Sequence, residues 1–343
     1  MNNLFVLHTQ YNLMLAVGLC KTNFIEDNND LILFEDFKIT EKYLAIVNCV
    51  FKEILLLKGN YPKARLTSKQ KYEKIKADIA DIRMKIKTRY DRIFIVEDMC
   101  IQEMYCLKRA NSMNPQVEML WLEDGANAYF TNCSISEGMG ATYFKRLCRK
   151  LVFSIRFHLG NYYDLGPCMG SHKCLSGIWL TFPDSVRLEL SKKEIYLISN
   201  EAVRKGMEIL FGNTSYEMDK GAILIALDLM SVYSELLPKV EQYVSTIVKN
   251  ANEKGKKVYY KYHPRETMNM KALKDCYELD RTKALEDYLV NTSAKDLTVI
   301  GFKSTALQTA KKMGYSTISY IKQLEPNNIA VLNFYLKIGI ICK

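Results

Sequence analysis

Asn3-Leu4-Phe5-Val6-Leu7-His8-Thr9 is a short apolar run that ends in polar residues, and the apolar segment Tyr11 to Thr22 follows it at helix length. The pair reads as a buried strand and the helix that covers it. The pattern then repeats. Asp30 to Asp36 predicts a strand, Thr40 to Phe51 a helix and Glu53 to Lys58 a strand. Thr67 to Thr88 predicts a long basic helix, with Thr67 or Ser68 as the N-cap whose hydroxyl accepts an otherwise orphaned amide proton. Asp91 to Asp98 and Gln116 to Glu123 predict two more strands with a helix between them. Nearly continuous apolar strands alternating with helices point to a parallel sheet covered on both faces, a Rossmann-like α/β domain.

The stretch from Ala126 to Leu190 is less periodic, and Gly166-Pro167, Gly170-Ser171 and Phe182-Pro183-Asp184 punctuate it as loops. Alternation resumes beyond it, which predicts a crossing to a second domain near Phe182–Glu189, with residues 1–185 and 186–343 as the two domains. In the second, Glu194–Ser199, Ala222–Ala226, Val258–Tyr262, Leu297–Gly301 and Tyr315–Tyr320 predict strands, the last of them the final strand. Ser234–Asn250 predicts a helix with Pro238 in its first turns, Ser304–Met313 a helix stopped by Gly314, and Asn328–Ile341 a closing amphipathic helix. A chain of 343 residues is long for one core, which agrees with two domains.

Hydrophobic residues make up 48% and charged residues 25%, the balance of a globular protein, and no window reaches 18 uninterrupted apolar residues, so no membrane span is expected. The N-terminus carries His8, Thr9, Gln10 and Asn12 and lacks a basic leader and a small-residue cleavage site, so a cytoplasmic chain is expected. Ten cysteines without framework spacing fit that compartment as free thiols. Cys168, His172 and Cys174 lie close together, but no second Cys or His pair follows at finger-like spacing, and no metal is expected. The net charge of +10 is uneven. Tyr61 to Tyr90 holds ten Lys/Arg against three Asp/Glu, a surplus of +7. Ala141 to Gly160 carries Lys145, Arg146, Arg149, Lys150 and Arg156 without an acid, with Phe144, Leu147, Leu151, Val152, Ile155 and Leu159 at helical spacing. Such a helix suits the anionic inner face of a membrane, and a solvated face over an ordinary core contact has the same pattern. No nucleic-acid recognition motif accompanies the charge, so no nucleic-acid partner is expected.

Ligands of open α/β sheets sit beyond the carboxyl ends of the strands, and three strand ends stand out here. Trp121-Leu122-Glu123-Asp124-Gly125 places two carboxylates and a glycine after an apolar strand. One acid there can take the proton from an attacking hydroxyl while the other orients it, although Glu-Asp-Gly is also an ordinary turn. Lys261-Tyr262-His263-Pro264-Arg265 ends a strand at a proline, with a histidine able to donate to a leaving phosphate and Lys261 and Arg265 able to balance its charge. A surface histidine in a turn has the same sequence. Gly301-Phe302-Lys303-Ser304-Thr305 runs from a strand into a helix start with two hydroxyls and a lysine, which is a ready phosphate site or a plain N-cap.

Together these motifs resemble bacterial sialyltransferases and polysialyltransferases: an acid-acid-Gly motif in the first domain, then His-Pro, then a Ser/Thr motif at a helix start. The opening Leu4-Phe5-Val6-Leu7-His8-Thr9-Gln10-Tyr11-Asn12-Leu13 is also similar to the start of the lipooligosaccharide and capsule sialyltransferases of glycosyltransferase family 52. The resemblance implies a GT-B fold, two Rossmann-like domains with the active site in the cleft between them, the first on the acceptor side and the second binding nucleotide. It implies CMP-sialic acid as donor, a cell-surface oligosaccharide as acceptor, inversion at the anomeric carbon, and no metal or other cofactor. One carboxylate of Glu123 and Asp124 would be the base, with Gly125 beside them. His263 would act on the CMP phosphate, and Ser304 and Thr305, with Lys261, Pro264 and Lys303 nearby, would hold it. Glu286 would contact the ribose, and His8, Thr9 and Gln10, which end the first strand, would line the donor-sugar pocket. A polysialyltransferase, with the basic helix as a track for a polyanionic acceptor, shares all three motifs. Another nucleotide-sugar donor and a basic membrane-binding module are the remaining readings. The oligomeric state is open, a dimer included.

Overall fold

The apolar run near the N-terminus becomes the centre of a sheet. In a computed structural model, which describes residues 1–59, 66–130, 151–164, 166, 168–212, 214–263 and 266–343, the strands of the first half are β1 (Asn2–Leu7), β2 (Asn28–Phe34), β3 (Ile54–Leu57), β4 (Arg92–Ile95), β5 (Glu118–Leu122), β6 (Gly177–Leu180) and β7 (Glu194–Leu197). They form a parallel sheet in the order β3-β2-β1-β4-β5-β6-β7. Side chains of both faces of β1 are buried, as expected when helices cover both sides. Phe5 stacks on Phe94 of β4 at 4.4 Å, and Phe24 and Trp179 meet their edges.

The helices of this half are α1 (Gln10–Cys20), α2 (Glu41–Val50), α3 (Ser68–Lys85), α4 (Ile101–Met113) and α5 (Asn200–Phe211). Thr9, Thr40 and Thr67 cap α1, α2 and α3 through their side chains, so the predicted starts hold to within a residue or two. Sequence periodicity misses β6 and α5. The four residues of β6 follow a glycine- and serine-rich stretch, and α5 carries Gly206 in its middle.

The second half repeats the plan with β8 (Ile223–Ala226), α6 (Leu237–Glu253), β9 (Val258–Lys261), β10 (Tyr277–Glu278), α7 (Leu285–Asn291), β11 (Thr298–Gly301), α8 (Thr305–Lys312), β12 (Ser316–Ser319), α9 (Ile321–Leu324), α10 (Ile329–Lys337) and β13 (Ile341–Cys342). Its parallel sheet has the order β10-β9-β8-β11-β12-β13, around a core that includes Ile225, Val240, Tyr262, Ile300 and Phe302. β12 is therefore not the final strand. The two-residue β13 pairs beside it and is too short to announce itself in sequence.

The chain divides into two units, Met1–Gly206 and Met207–Lys343. The border lies downstream of the 185/186 position because β7 pairs in parallel with β6 and stays in the first sheet. In both sheets the strand order reverses next to the first strand, between β1 and β4 and between β8 and β11. Such reversals open a crevice at the carboxyl edge. Among the described residues, no helix is long and apolar enough to cross a membrane. Residues 151–156 are helical, with Phe153 and Phe157 packed on Tyr72 and Met104, and Arg156 lies 3.7 Å over the Tyr72 ring. The expected basic helix from 141 to 150 lies outside the described residues.

Helices α1 and α5 meet at two glycines. A Cβ on Gly18 would come within 2.0 Å of the Ala202 carbonyl oxygen, and one on Gly206 within 2.1 Å of that of Met14. Alanine gains about 1 kcal/mol of helix propensity over glycine, but a backbone collision cannot be relieved by rotating a side chain. Gly206→Ala is therefore expected to lower stability by about 1–3 kcal/mol. An unchanged or raised thermal midpoint would show that the helices can separate without loss.

Candidate active site

β5 delivers Glu123 to the carboxyl edge of the first sheet, where the side chain is completely buried. Tyr11 Oη donates to Oε1 at 2.6 Å, the Thr181 N–H donates to Oε2 at 2.6 Å, and the Thr181 hydroxyl lies within 3.0 Å of both oxygens. The Tyr129 hydroxyl makes a further short bond to Oε2. Burial pushes the carboxyl pKa up, against the pull of these donors. Asp124 differs: it is half-buried, and the side-chain amides of Asn12 and Asn127 approach its two oxygens at 3.3 and 3.2 Å. Gly125 follows at φ +55°, a left-handed conformation that glycine adopts without strain, and starts the turn Gly125–Ala128. The structure thus brings the start of α1 to the acid pair. Thr9 itself is the N-cap of α1 in a reciprocal bond with Asn12, and Gln10 is the first residue of the helix.

A second cluster stands where β1 and β4 part. His8 stacks on Phe34 at 4.1 Å, with Nδ1 2.7 Å from Asp36 Oδ2 and Nε2 3.0 Å from Glu103 Oε1. Burial works against the imidazolium, but the Asp36 and Glu103 carboxylates outweigh it and hold the His8 pKa up to about 10. Burial lifts the Glu103 carboxyl to about 7 despite His8. The sequence signal for this cluster was His8 itself; its partners were not foreseen, because Asp36 and Glu103 come from other strand and helix ends.

In the second unit, β9 ends at Lys261, whose Nζ lies 3.1 Å from the Tyr262 carbonyl. Burial lowers the Lys261 pKa to about 8, against the Glu286 and Asp280 carboxylates. Glu286, in α7, is raised by burial, with Lys261 opposing. His263 is half-buried just beyond β9, and Glu266 braces its loop by accepting the Met230, Thr267 and Met268 N–H groups at 2.7–2.8 Å. Pro264 and Arg265 lie outside the described residues. Two strands across the sheet, about 10 Å away, β11 leads into Lys303, Ser304 and Thr305, all half-buried. Ser304 caps α8, its Oγ accepting the Ala306 N–H at 3.3 Å.

Asp228, after β8, was not anticipated. Its Oδ2 accepts the Lys303 N–H at 3.0 Å and the Tyr233 hydroxyl at 2.6 Å, and so fixes the turn before α8. Burial raises the Asp228 carboxyl pKa in spite of both donors. The Lys303 ammonium is already engaged, 2.6 Å from Glu325 and 5.1 Å over the Tyr233 ring. An anion at this turn would meet amides and hydroxyls first and the lysine as a neighbouring charge. In the Cys168–His172–Cys174 stretch, His172 is buried. The His172 ring bonds the Cys174 N–H through Nδ1 at 3.2 Å and approaches the Tyr162 carbonyl through Nε2 at 3.0 Å.

Comparison with known proteins gives the family and the fold. The family model described as alpha-2,8-polysialyltransferase matches residues 3–320. Among solved structures, the chain is similar to the alpha/beta-galactoside alpha-2,3-sialyltransferase of Photobacterium phosphoreum, at 10% identity and TM-score 0.58, over 99% of this chain and 98% of that one. It is also similar to the UDP-GlcNAc 2-epimerase of Methanocaldococcus jannaschii, at 12% identity and TM-score 0.53, over 98% and 92%. At such identities the likeness speaks for the fold of two Rossmann-like domains. No curated protein matches the sequence significantly. The match over nearly the whole length, on a fold shared with a sialyltransferase, makes the chain a sialyltransferase that belongs to the alpha-2,8-polysialyltransferase family.

Proposed function

We propose that the protein transfers sialic acid from CMP-sialic acid, with inversion, to a sialic acid-terminated glycan of the cell surface. The observation that carries this reading is the division of chemistry between the units: an acid pair ends β5 in the first, and a hydroxyl-bearing helix start follows β11 in the second. The acceptor hydroxyl loses its proton to a carboxylate as its oxygen attacks the anomeric carbon. The bond from that carbon to the CMP phosphate breaks, and the phosphate leaves with the bonding pair. His263 donates to the departing phosphate, and the Ser304 and Thr305 hydroxyls with the first amides of α8 hold it, so the phosphate charge is met without a metal. Glu286 contacts the ribose, and Thr9 and Gln10 lie toward the donor sugar.

Asp124 is the better base of the two acids. Glu123 is enclosed with both oxygens engaged, whereas Asp124 is reachable and held by two amides. CMP should raise the thermal midpoint of the wild type, as any ligand selective for the native state does; stabilisation by UDP and none by CMP would contradict the donor. Asp124→Asn should keep the midpoint and CMP binding while losing about 10²–10⁴-fold in turnover. Glu123→Gln should lose about 1–3 kcal/mol of stability, because an amide cannot accept every bond the carboxylate accepts. A folded Glu123→Gln protein with the larger loss of turnover would move the base to Glu123.

The acidic acceptor is supported by the family match and by α3, whose Lys69, Lys76 and Arg83 are exposed at seven-residue spacing, about 10 Å apart along one face. Reversing these three charges should raise KM for long sialic acid oligomers more than for short ones. Equal changes for both lengths would remove the helix from acceptor binding. We place the enzyme at an anionic membrane surface, because Leu151, Val152 and Ile155 are 52–73% exposed beside basic sequence. Val152→Glu with Ile155→Glu should weaken binding to anionic vesicles at low salt. Unchanged binding would leave that face merely solvated.

A further inference from the structure

The geometry points to a zinc-type metal site at the carboxyl edge of the first sheet, between β1 and β4, with His8, Glu97 and Cys100 as ligands and Glu103 as the adjoining carboxylate. One donor atom from each of His8, Glu97 and Cys100 lies within 4.8 Å of the other two. Zinc bonds of about 2.0–2.3 Å require these atoms to close in by about 1 Å, within reach of small side-chain rotations.

The site is more than a group of acids. His8 Nε2 and Glu103 Oε1 are buried atoms without a hydrogen-bond partner, although they stand 3.0 Å apart at ion-pair distance. The separation is close but the alignment makes no hydrogen bond. A metal ion at this point would take the place of the His8–Glu103 ion pair. Both side chains are fixed. The other oxygen of Glu103 accepts the Val96 and Glu97 N–H groups at 3.1 and 2.7 Å, and Asp36 holds Nδ1 of His8 at 2.7 Å. A carboxylate on one ring nitrogen is the usual support of a metal-bound histidine, and Asp36 already supplies it.

Charge argues the same way. Three carboxylates and a thiol gather about one imidazole, and Asp98 and Asp124 add negative potential at Glu97. A dication cancels that surplus. The mixed nitrogen, sulfur and oxygen donors favour zinc over magnesium or calcium, which prefer oxygen alone. Glu97 is exposed and gives the ion a way in. On binding, the Cys100 thiol, which now donates to Gln102 Oε1 at 3.2 Å, and the His8 imidazolium each release a proton to solvent. This site goes beyond the proposed transfer reaction and does not depend on it: its role is to fasten β1, the end of β4 and the start of α4.

The full-length chain, stripped with a chelator and titrated with Co²⁺, should take up a stoichiometric ion and develop a thiolate-to-cobalt charge-transfer band. Cys100→Ser should abolish the band, and Glu97→Gln should weaken cobalt binding by about tenfold or more. Cys49→Ser, which removes an exposed thiol outside the cluster, should leave both unchanged. Zn²⁺ should raise the thermal midpoint of the wild type and not that of Cys100→Ser, with matching far-ultraviolet spectra confirming that both are folded. Substoichiometric uptake by the wild type, or uptake by Cys100→Ser equal to the wild type, would overturn the proposal.

Discussion

A buried negative charge organises the first unit. Taking a carboxylate out of water is costly unless donors replace the lost hydration, and Glu123 is replaced on every side: by Tyr11 from the start of α1, Tyr129 from the turn after Gly125, and Thr181 from the end of β6. Because each donor comes from a different segment, the charge fixes the positions of all three relative to β5. Asp124 inherits that order. Its amide partners, Asn12 and Asn127, lie in two of the segments that Glu123 locks in place.

Much of this was legible in sequence and some could not be. The alternation through Glu123 gave five strands and four helices in their true order, because parallel strands buried on both faces are written as unbroken apolar runs. Between Gly177 and Phe211 the strand at Glu194 was read as such, but β6 before it and α5 after it were missed. Leu180 closes a strand of four residues, and the apolar positions Val203, Met207, Leu210 and Phe211 of α5 are interrupted by a glycine that packing, not helix propensity, requires. At the site, the two acids were visible as a pair, but which of them is enclosed was not. The donors to Glu123 lie 112, 6 and 58 residues away in sequence, and only folding brings them together. Ser304 shows the opposite case: a residue readable as a helix cap is one, its side chain accepting the Ala306 N–H.

The two sheets share a strand order yet carry opposite chemistry at their reversal points. Between β1 and β4 the chain gathers carboxylates around His8; between β8 and β11 it offers amides, hydroxyls and Lys303, with Asp228 as an inward brace. Fold alone does not decide what such an edge binds. Here the difference lies in a few residues directly after each strand, where substitution leaves the hydrogen-bonded ladder untouched.

Helix α5 spans the border between the units. Its Ala202 and Gly206 lie against α1, while the carbonyl of Phe211 accepts from the Asn291 side chain at 2.6 Å. Domains are ordinarily joined by an exposed, polar stretch that tolerates nicks, insertions and new chain ends. This border is a continuous helix with Ala202, Val203, Met207, Leu210 and Phe211 buried along it. A protease would find no ready cleavage point there, and gene fusion or permutation at residue 206 would open two apolar surfaces at once.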